Sequence, residues 1–575
     1  MWRVPNKLIQ LHRQNTVVIF LYLAFTLIFT FPLFLHISTS SPMADGQGDQ
    51  FQSMWMFWWF KTALFHLQTN PLYTTFVFYP HGTSLIYHMP IFLSLLALPF
   101  QYLLSSPANL IIAYNLILMF TFVLSGFGVY LLTKYLIKDP VTAFICGLLF
   151  AFSSYRLWHL NHLGLLSTEW IPFYILYLFR FVDEKLLKYA LWVGVFFVFT
   201  FLSDLTCALF LSTFTSIYFL YLLVKSRKRL LDKKIIINSS IALFTVVIIL
   251  SPFLYSLSST QIDWPTQTKE QTTYSANLVG YFLPVSERSL WGSSFLPSQH
   301  DYLGIAGGEL FLGYILLFFV MYTLIKRGKE RIKFWFFSSL AFLLLSLGHT
   351  IYIYNHSYYF NWLPYNLLYT YVPFLRIGRT PYRFSLMVTL CLIIFSSYGL
   401  TRFFNSHYAK DRNLSDLKNF FRSFLVRKGM PLVVVVLICL EFIVVPTTLI
   451  QVEVPESYQK IKEMPEEFAI LEMPASFFGN SLFANVYLFY QTVHGKKLVD
   501  GLLPRPSYHS RDFLKENILK EDMTLDGKLK DKLARNNIKY VIIHEFQRLE
   551  ETINEDTTFL IIKEKPSDIK LFQVF

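Results

Sequence analysis

Two carboxylates near the start of the chain are the first residues that could do chemistry. Asp45-Gly-Gln-Gly-Asp49 runs into Phe51 and the aromatic stretch Met54-Trp55-Met56-Phe57-Trp58-Trp59. An anionic oxygen at a water–lipid boundary can take a proton from an acceptor hydroxyl, or hold a divalent cation such as Mg or Mn against a phosphate. The plainer alternative is a Gly-rich turn in which Asp49 caps a helix starting near Phe51. A second candidate is Arg376-Ile-Gly-Arg379-Thr-Pro-Tyr-Arg383, with no Asp or Glu between Thr350 and Arg383 to neutralise it. Arginine grips phosphate through two parallel hydrogen bonds, so this segment suits a phosphate-bearing substrate. Contact with anionic headgroups, or pairing with acids elsewhere in the fold, would also explain it.

Arg156, His159 and His162 recur at spacings of three ahead of Glu169 and Trp170, and on a helix they would share roughly one face. Two histidines so placed could ligate a metal. No matched third ligand is evident, and hydrogen bonding in a polar loop is the simpler reading. Asp204 lies between two apolar runs, where an acid costs about 2.5–3.5 kcal/mol on insertion scales. It should therefore face a cavity or cap the next helix, and Glu309, after Gly307-Gly308, invites the same two readings. No phosphate-cradling glycine loop, serine-hydrolase elbow or zinc signature occurs.

The elements that must position these residues are apolar. Of 575 residues, 54% are hydrophobic, 18% aromatic and only 15% charged, so water cannot be the main solvent. The formal charge of +13 falls mostly in short clusters between apolar runs, where it orients a membrane protein rather than binding nucleic acid. Cys146, Cys207, Cys391 and Cys439 all lie inside apolar stretches and read as small core residues. Val17–Ile37 is too long for a signal-peptide core and reads as a first spanning helix. The Trp-dense run at 54–59 is too short to span and reads as an interfacial helix.

Further apolar runs follow near 89–105, 109–133, 140–155, 167–181, 188–203, 206–224, 235–256, 309–325, 333–348, 384–401 and 431–449. Basic clusters at Lys225–Lys234, Lys326–Lys333 and Arg402–Lys428 mark the cytoplasmic side. That puts the first loop (38–88), the loops at 156–166, 257–308 and 349–383, and everything after Gln451 outside, with the N-terminus inside. The count closes only if one early run does not cross. The run at 89–105, interrupted by Pro99, is the candidate, which leaves about eleven spans.

From Gln451 onward charged residues replace the apolar runs. Phe468–Met473 and Tyr540–Ile543 read as strands, Leu529–Arg535 as a helix ended by Asn536-Asn537, and the last twenty residues as two more strands. The expected architecture is an all-α polytopic membrane domain over 1–450, followed by a small extracytoplasmic α+β domain over 451–575.

This pattern resembles the GT-C superfold of membrane glycosyltransferases, in its first helix, acidic outer loop, aromatic surface helix, many-helix body and outer C-terminal domain. Phe78-Tyr79-Pro80-His81-Gly82, Arg156 to Trp170, Leu375 to Phe384 and Gln491-Thr-Val-His494-Gly495 are similar to segments of bacterial membrane proteins of this type. The resemblance implies a plasma-membrane hexosyl- or pentosyltransferase with a sugar on polyprenyl phosphate as donor and a glycan, lipid or protein as acceptor. It makes Asp49 the best match to the family's reactive acid, with Asp45 second. Arg376, Arg379 and Arg383 are then the candidates for the leaving phosphate, and Arg156, His159, His162, Asp204 and Trp55 the candidates for substrate contacts. Metal-dependent members carry two acids one residue apart, whereas Asp45 and Asp49 are separated by three residues, so dependence on Mg or Mn is open. Two other classes compete. A lipid or polysaccharide transporter would show paired halves, and no internal repeat is visible. A noncatalytic assembly factor could keep the same fold without the activity.

Overall fold

A computed structural model of the chain describes residues 6–43, 48–259, 274–284, 309–326, 330–360, 362–372, 378, 380–410, 429–473, 481–501, 533–544, 559–562 and 569–573. Asp45, Arg376 and Arg379 lie outside them.

The chain opens with α1 (Asn6–Phe29), β1 (Ser40–Pro42) and α2 (Asp49–Lys61), followed by a small hairpin of β2 (Tyr73–Thr74) and β3 (Thr83–Ser84). The bundle continues through α3 (Ile91–Leu103), α4 (Ala108–Ile137), α5 (Pro140–Ala151), the short turns α6 (Ser154–Trp158) and α7 (Leu163–Leu166), and α8 (Trp170–Glu184). Next come α9 (Leu187–Ser203), α10 (Leu205–Leu230), α11 (Lys233–Ser259), α12 (Tyr314–Ile325) and α13 (Glu330–Ser346). A second hairpin, β4 (Thr350–Ile353) and β5 (His356–Tyr359), precedes α14 (Pro364–Tyr371), α15 (Ser385–Lys410) and α16 (Met430–Phe442).

Local chemistry sets several of these boundaries. Asp139 accepts from the Val141 backbone N–H and Pro140 occupies the first turn, so α5 starts there. Asp204 separates α9 from α10 with no loop between them: its Oδ1 accepts from the N–H groups of Thr206 (2.8 Å) and Cys207 (3.0 Å). α4 is the hub, packed against α1, α3, α5 and α8. The Tyr22 hydroxyl, buried on α1, donates to the Phe144 carbonyl of α5 at 2.9 Å.

Among the described residues, six helices are long and apolar enough to cross a membrane, and six shorter apolar helices accompany them. The shorter ones include α3, whose 13 residues reach only about 20 Å and contain Pro99, against a hydrocarbon core of about 30 Å. α11 is apolar nearly all round yet leaves Ile236, Leu243, Phe244 and Ile248 exposed, as a lipid-facing helix does.

The C-terminal part consists of β6 (Leu449–Val452), α17 (Glu456–Glu463), β7 (Ala469–Met473), α18 (Ser481–His494), β8 (Lys497–Leu498), β9 (Ile538–His544), β10 (Phe559–Ile562) and β11 (Ile569–Gln573). Strand order is β11-β9-β7-β8 in one sheet and β1-β6-β10 in the other. The strands expected around 468–473, 540–543 and the last twenty residues are all present. The second sheet takes its edge from the first loop, with Ser40 opposite Gln451 and Pro42 opposite Leu449. The first loop also binds the C-terminal part at the segment Phe78-Tyr79-Pro80-His81-Gly82. There the N–H of Tyr79 donates to the Leu498 carbonyl at 3.0 Å, and the N–H of Leu498 to the Phe76 carbonyl at 2.8 Å.

One expectation needs correcting. The Trp-rich helix α2 does not lie open on a membrane surface. Gln50, Phe51, Met54, Trp55, Met56, Phe57, Trp59 and Phe60 are all buried, because α18 covers it on one side while α3 and α4 pack on others.

Candidate functional site

Helix α2 begins at Asp49 because Gly48 takes a left-handed backbone (φ 77°), a conformation that favours glycine. The side chain of Asp49 is not the cap, contrary to the plainer alternative read from the sequence. Its carboxylate stands in the first turn, where the helix dipole favours negative charge, and Asn485 of α18 donates to its Oδ1 at 3.4 Å. One turn on, Gln52, Ser53 and Met56 lie on the same helix face as Asp49 and form one wall of a cavity.

That cavity encloses about 960 Å³ including its open mouth. Opposite α2 it is lined by Tyr87 and His88, by His162 and Gly164 on α7 and its cap, by Ser203 and Asp204 at the α9–α10 junction, and by Arg383. Asp204 both caps α10 through Oδ1 and faces this space, so the two readings offered for it coexist. Its other oxygen is crowded by Gly164, where an added Cβ would come within 3.3 Å.

Arg383 lies in a 3-10 turn, Pro381–Phe384, that leads into α15. Its guanidinium carbon lies 6.0 Å from the centre of the Tyr382 ring, and the buried Glu309 acts electrostatically on the same tyrosine. Arg383 Nε–H meets no acceptor among the described residues. Asp204 and Arg383 act on each other electrostatically without a direct ion pair among the described residues, so opposite charges face one cavity across a gap.

The Arg156–His162 segment is not the single helical face its spacing suggests, because α6 ends at Trp158 and the chain turns at His159. The three side chains separate. His162 reaches the cavity. Arg156 is fully buried, donating from Nε to the Ala151 carbonyl at 3.0 Å and from Nη1 to the Leu166 carbonyl at 2.6 Å and to Thr168, with its plane 4.7 Å from the Phe122 ring. It lies in the field of the equally buried Glu169. Such a guanidinium has no face left for a substrate. His159 is buried too, with Nδ1 2.7 Å from the Tyr155 carbonyl.

Trp55, read as a substrate contact, has a structural post. Its ring is buried, and its indole N–H donates to Gln491 Oε1 at 2.6 Å. The Gln491 amide then donates to the carbonyls of Phe76 (2.6 Å) and Lys496 (2.8 Å). A buried indole N–H needs a partner, and the partner comes from the far end of the chain.

Among the described residues no three His, Cys, Asp or Glu side chains gather where they could hold a metal ion. Sequence reading misses Gln52, Ser53, Tyr87 and His88, which are uncharged or solitary residues without motif context. It underrates Glu309, which is buried and acts electrostatically on Tyr382 beside Arg383.

The chain has the GT-C fold. The apo oligosaccharyltransferase of Archaeoglobus fulgidus superposes with a TM-score of 0.50 at 11% identity, over 92% of this chain and 69% of that one. The same organism's AglB, in complex with an inhibitory peptide and a dolichol-phosphate, gives 0.46 at 11% identity, over 92% and 69%. ArnT from Cupriavidus metallidurans in the apo state gives 0.47 at 10% identity, over 92% and 93%. By sequence the chain belongs to the family described as domain of unknown function DUF6311, whose model matches residues 18–410. No curated protein matches it in sequence.

Proposed function

We propose that the chain transfers a sugar from a polyprenyl-phosphate donor to a glycan, lipid or protein acceptor on the extracytoplasmic side of a plasma membrane, with inversion at the anomeric carbon. The observation that carries this reading is the cavity in which Arg383 and Asp204 face each other beside the Asp49 face of α2. The same fold serves an oligosaccharyltransferase in Archaeoglobus fulgidus, which makes glycosyl transfer the first activity to test.

The residues divide the work as follows. The acceptor oxygen attacks the anomeric carbon as the bond from that carbon to the lipid phosphate oxygen breaks, so the phosphate leaves with the electron pair. Asp49, as base, takes the acceptor proton. Arg383, whose Nε–H has no acceptor among the described residues, offers a charge-assisted donor to the departing phosphate. Asp204 accepts from a sugar hydroxyl and His162 closes the wall beside it. Orientation follows the basic clusters. The N-terminus and Lys225–Lys234 are cytoplasmic, while the first loop and the C-terminal part, joined by β1 and β6, are outside together.

The test is purified full-length protein in lipid nanodiscs, incubated with a panel of hexosyl and pentosyl polyprenyl phosphates while released polyprenyl phosphate is measured. Asp49→Asn should lower turnover by about a hundredfold with an unchanged melting temperature. Arg383→Lys should weaken donor binding, since a point charge replaces a planar fork. Absence of sugar release from every donor, or near-normal turnover in the Asp49 variant, overturns the reading. A cysteine at Glu453 that an impermeant reagent labels only after the membrane is broken overturns the orientation.

A further inference from the structure

The segment between α13 and Arg383 is built the wrong way round for water. Residues 350–375 contain no Asp, Glu, Lys or Arg but are dense in Tyr, with Trp362, Phe360 and several Ile and Leu. Hydrogen bonds fix its described parts. β4 and β5 pair from Thr350–Tyr359 to Ile353–His356, and Asn277 clasps the turn, its amide donating to the Tyr354 carbonyl at 2.9 Å and its Oδ1 accepting from the Tyr354 N–H at 3.2 Å. The Tyr365 hydroxyl donates to the Gly378 carbonyl at 2.5 Å, tying α14 to the stretch that leads to Arg383.

On this fixed frame the apolar groups point outward. Every residue of β5 is exposed, Tyr359 at 64%, and Trp362 is exposed at 65%. α14 buries Tyr365 and the polar Asn366, and turns Leu367 (51%) and Tyr371 (79%) out, which lie one helical turn apart. A helix beside water does the reverse. Contiguous apolar surface of this kind marks a docking face. The patch also continues a surface the fold already gives to lipid, since Phe337, Leu340 and Leu344 are exposed along α13, which ends at Ser346 directly before the hairpin.

What covers the patch follows from its composition. Tyr and Trp rings with Asn, Ser and His tips, mixed with Leu and Ile and free of formal charge, match the zone between acyl chains and headgroups, where each ring keeps one end dry and one wet. We infer that the β4–β5 hairpin and α14 rest in the headgroup zone of the bilayer, immersing Tyr359, Trp362, Leu367 and Tyr371, and so hold the Arg383 turn at the depth of lipid phosphates. This stands on the fold and does not require the transferase reading.

The experiment is depth-dependent quenching on full-length protein in nanodiscs of phosphatidylcholine and phosphatidylglycerol. Tyr359→Cys and Tyr371→Cys carry an NBD label, Glu453→Cys serves as a water-exposed reference, and wild type labelled in parallel corrects for Cys439. Lipids bearing a doxyl group near the headgroup should quench the first two labels several-fold more than the third, with blue-shifted emission. Equal, water-like emission at all three positions overturns the inference. So does emission that responds to a soluble glycan or an added protein but not to doxyl lipid, which would assign the patch to that partner. If the cysteine variants fail to fold, the difference between wild type and Trp362→Phe in tryptophan quenching by brominated lipid reads the same depth, and no difference overturns the inference equally.

Discussion

Asp204 does two jobs that substitution can separate. Its Oδ1 accepts two backbone N–H groups at the start of α10 while its other oxygen faces the cavity. Asp204→Ala removes the cap and should cost about 0.5–2 kcal/mol of stability, whereas Asn caps as well as Asp and should leave the melting temperature near wild type. Activity should separate the variants differently. A hydrogen bond from a sugar hydroxyl to a carboxylate is worth about 1.5–3 kcal/mol and one to a neutral amide about 0.5–1.5 kcal/mol. Asp204→Asn should therefore lose roughly tenfold in kcat/KM, and Asp204→Ala up to roughly a hundredfold. The assay measures donor turnover and thermal unfolding on the same preparations. An Asn variant with unchanged kcat/KM would refute the substrate contact and leave Asp204 as a helix cap alone.

Gly164→Ala would bring a methyl carbon within 3.3 Å of the Asp204 carboxylate; turnover should fall several-fold while the melting temperature stays put, read in the same paired assay. Arg156→Met leaves the buried carbonyls of Ala151 and Leu166 without their donor, so it should destabilise by about 1–3 kcal/mol and show as a lower melting temperature and poor yield. His494 is held neutral by burial, with Lys496 a smaller cause, and its pKa is pushed down to about 3. Because the folded-state value lies below the unfolded one, stability is full above about pH 6.5 and is lost as pH falls towards 3, by about 1.4 kcal/mol per unit. Melting temperature should drop between pH 7.5 and 5, and His494→Gln should flatten that slope.

What the sequence discloses is whatever stands out against an apolar background. Asp204, His162 and Arg383 are legible because a polar group between membrane-length runs needs a reason, and the cavity supplies one. The strands around Ile470 and Val541 are legible from short runs of branched residues. Arg156 misleads because a basic residue in a loop looks like a ligand site until its carbonyl partners are known, and those come from turns whose geometry spacing does not give. Trp55 misleads in the same way, since a Trp-rich helix reads as interfacial unless one knows that α18 lies on top of it. Gln52, Ser53 and His88 are invisible beforehand, being brought together only by the packing of α2 against the loop before α3.

The clasp between Trp55 and Gln491 spans 436 residues of chain. At synthesis rates of about 5–20 residues per second, the first loop waits roughly 20–90 s for its partner to be made. During that interval β1 lacks β6, the indole of Trp55 lacks its acceptor, and Asp49 lacks Asn485. A chain that stops short of its C-terminal sheets therefore leaves its first loop unassembled, so a late segment completes an early one.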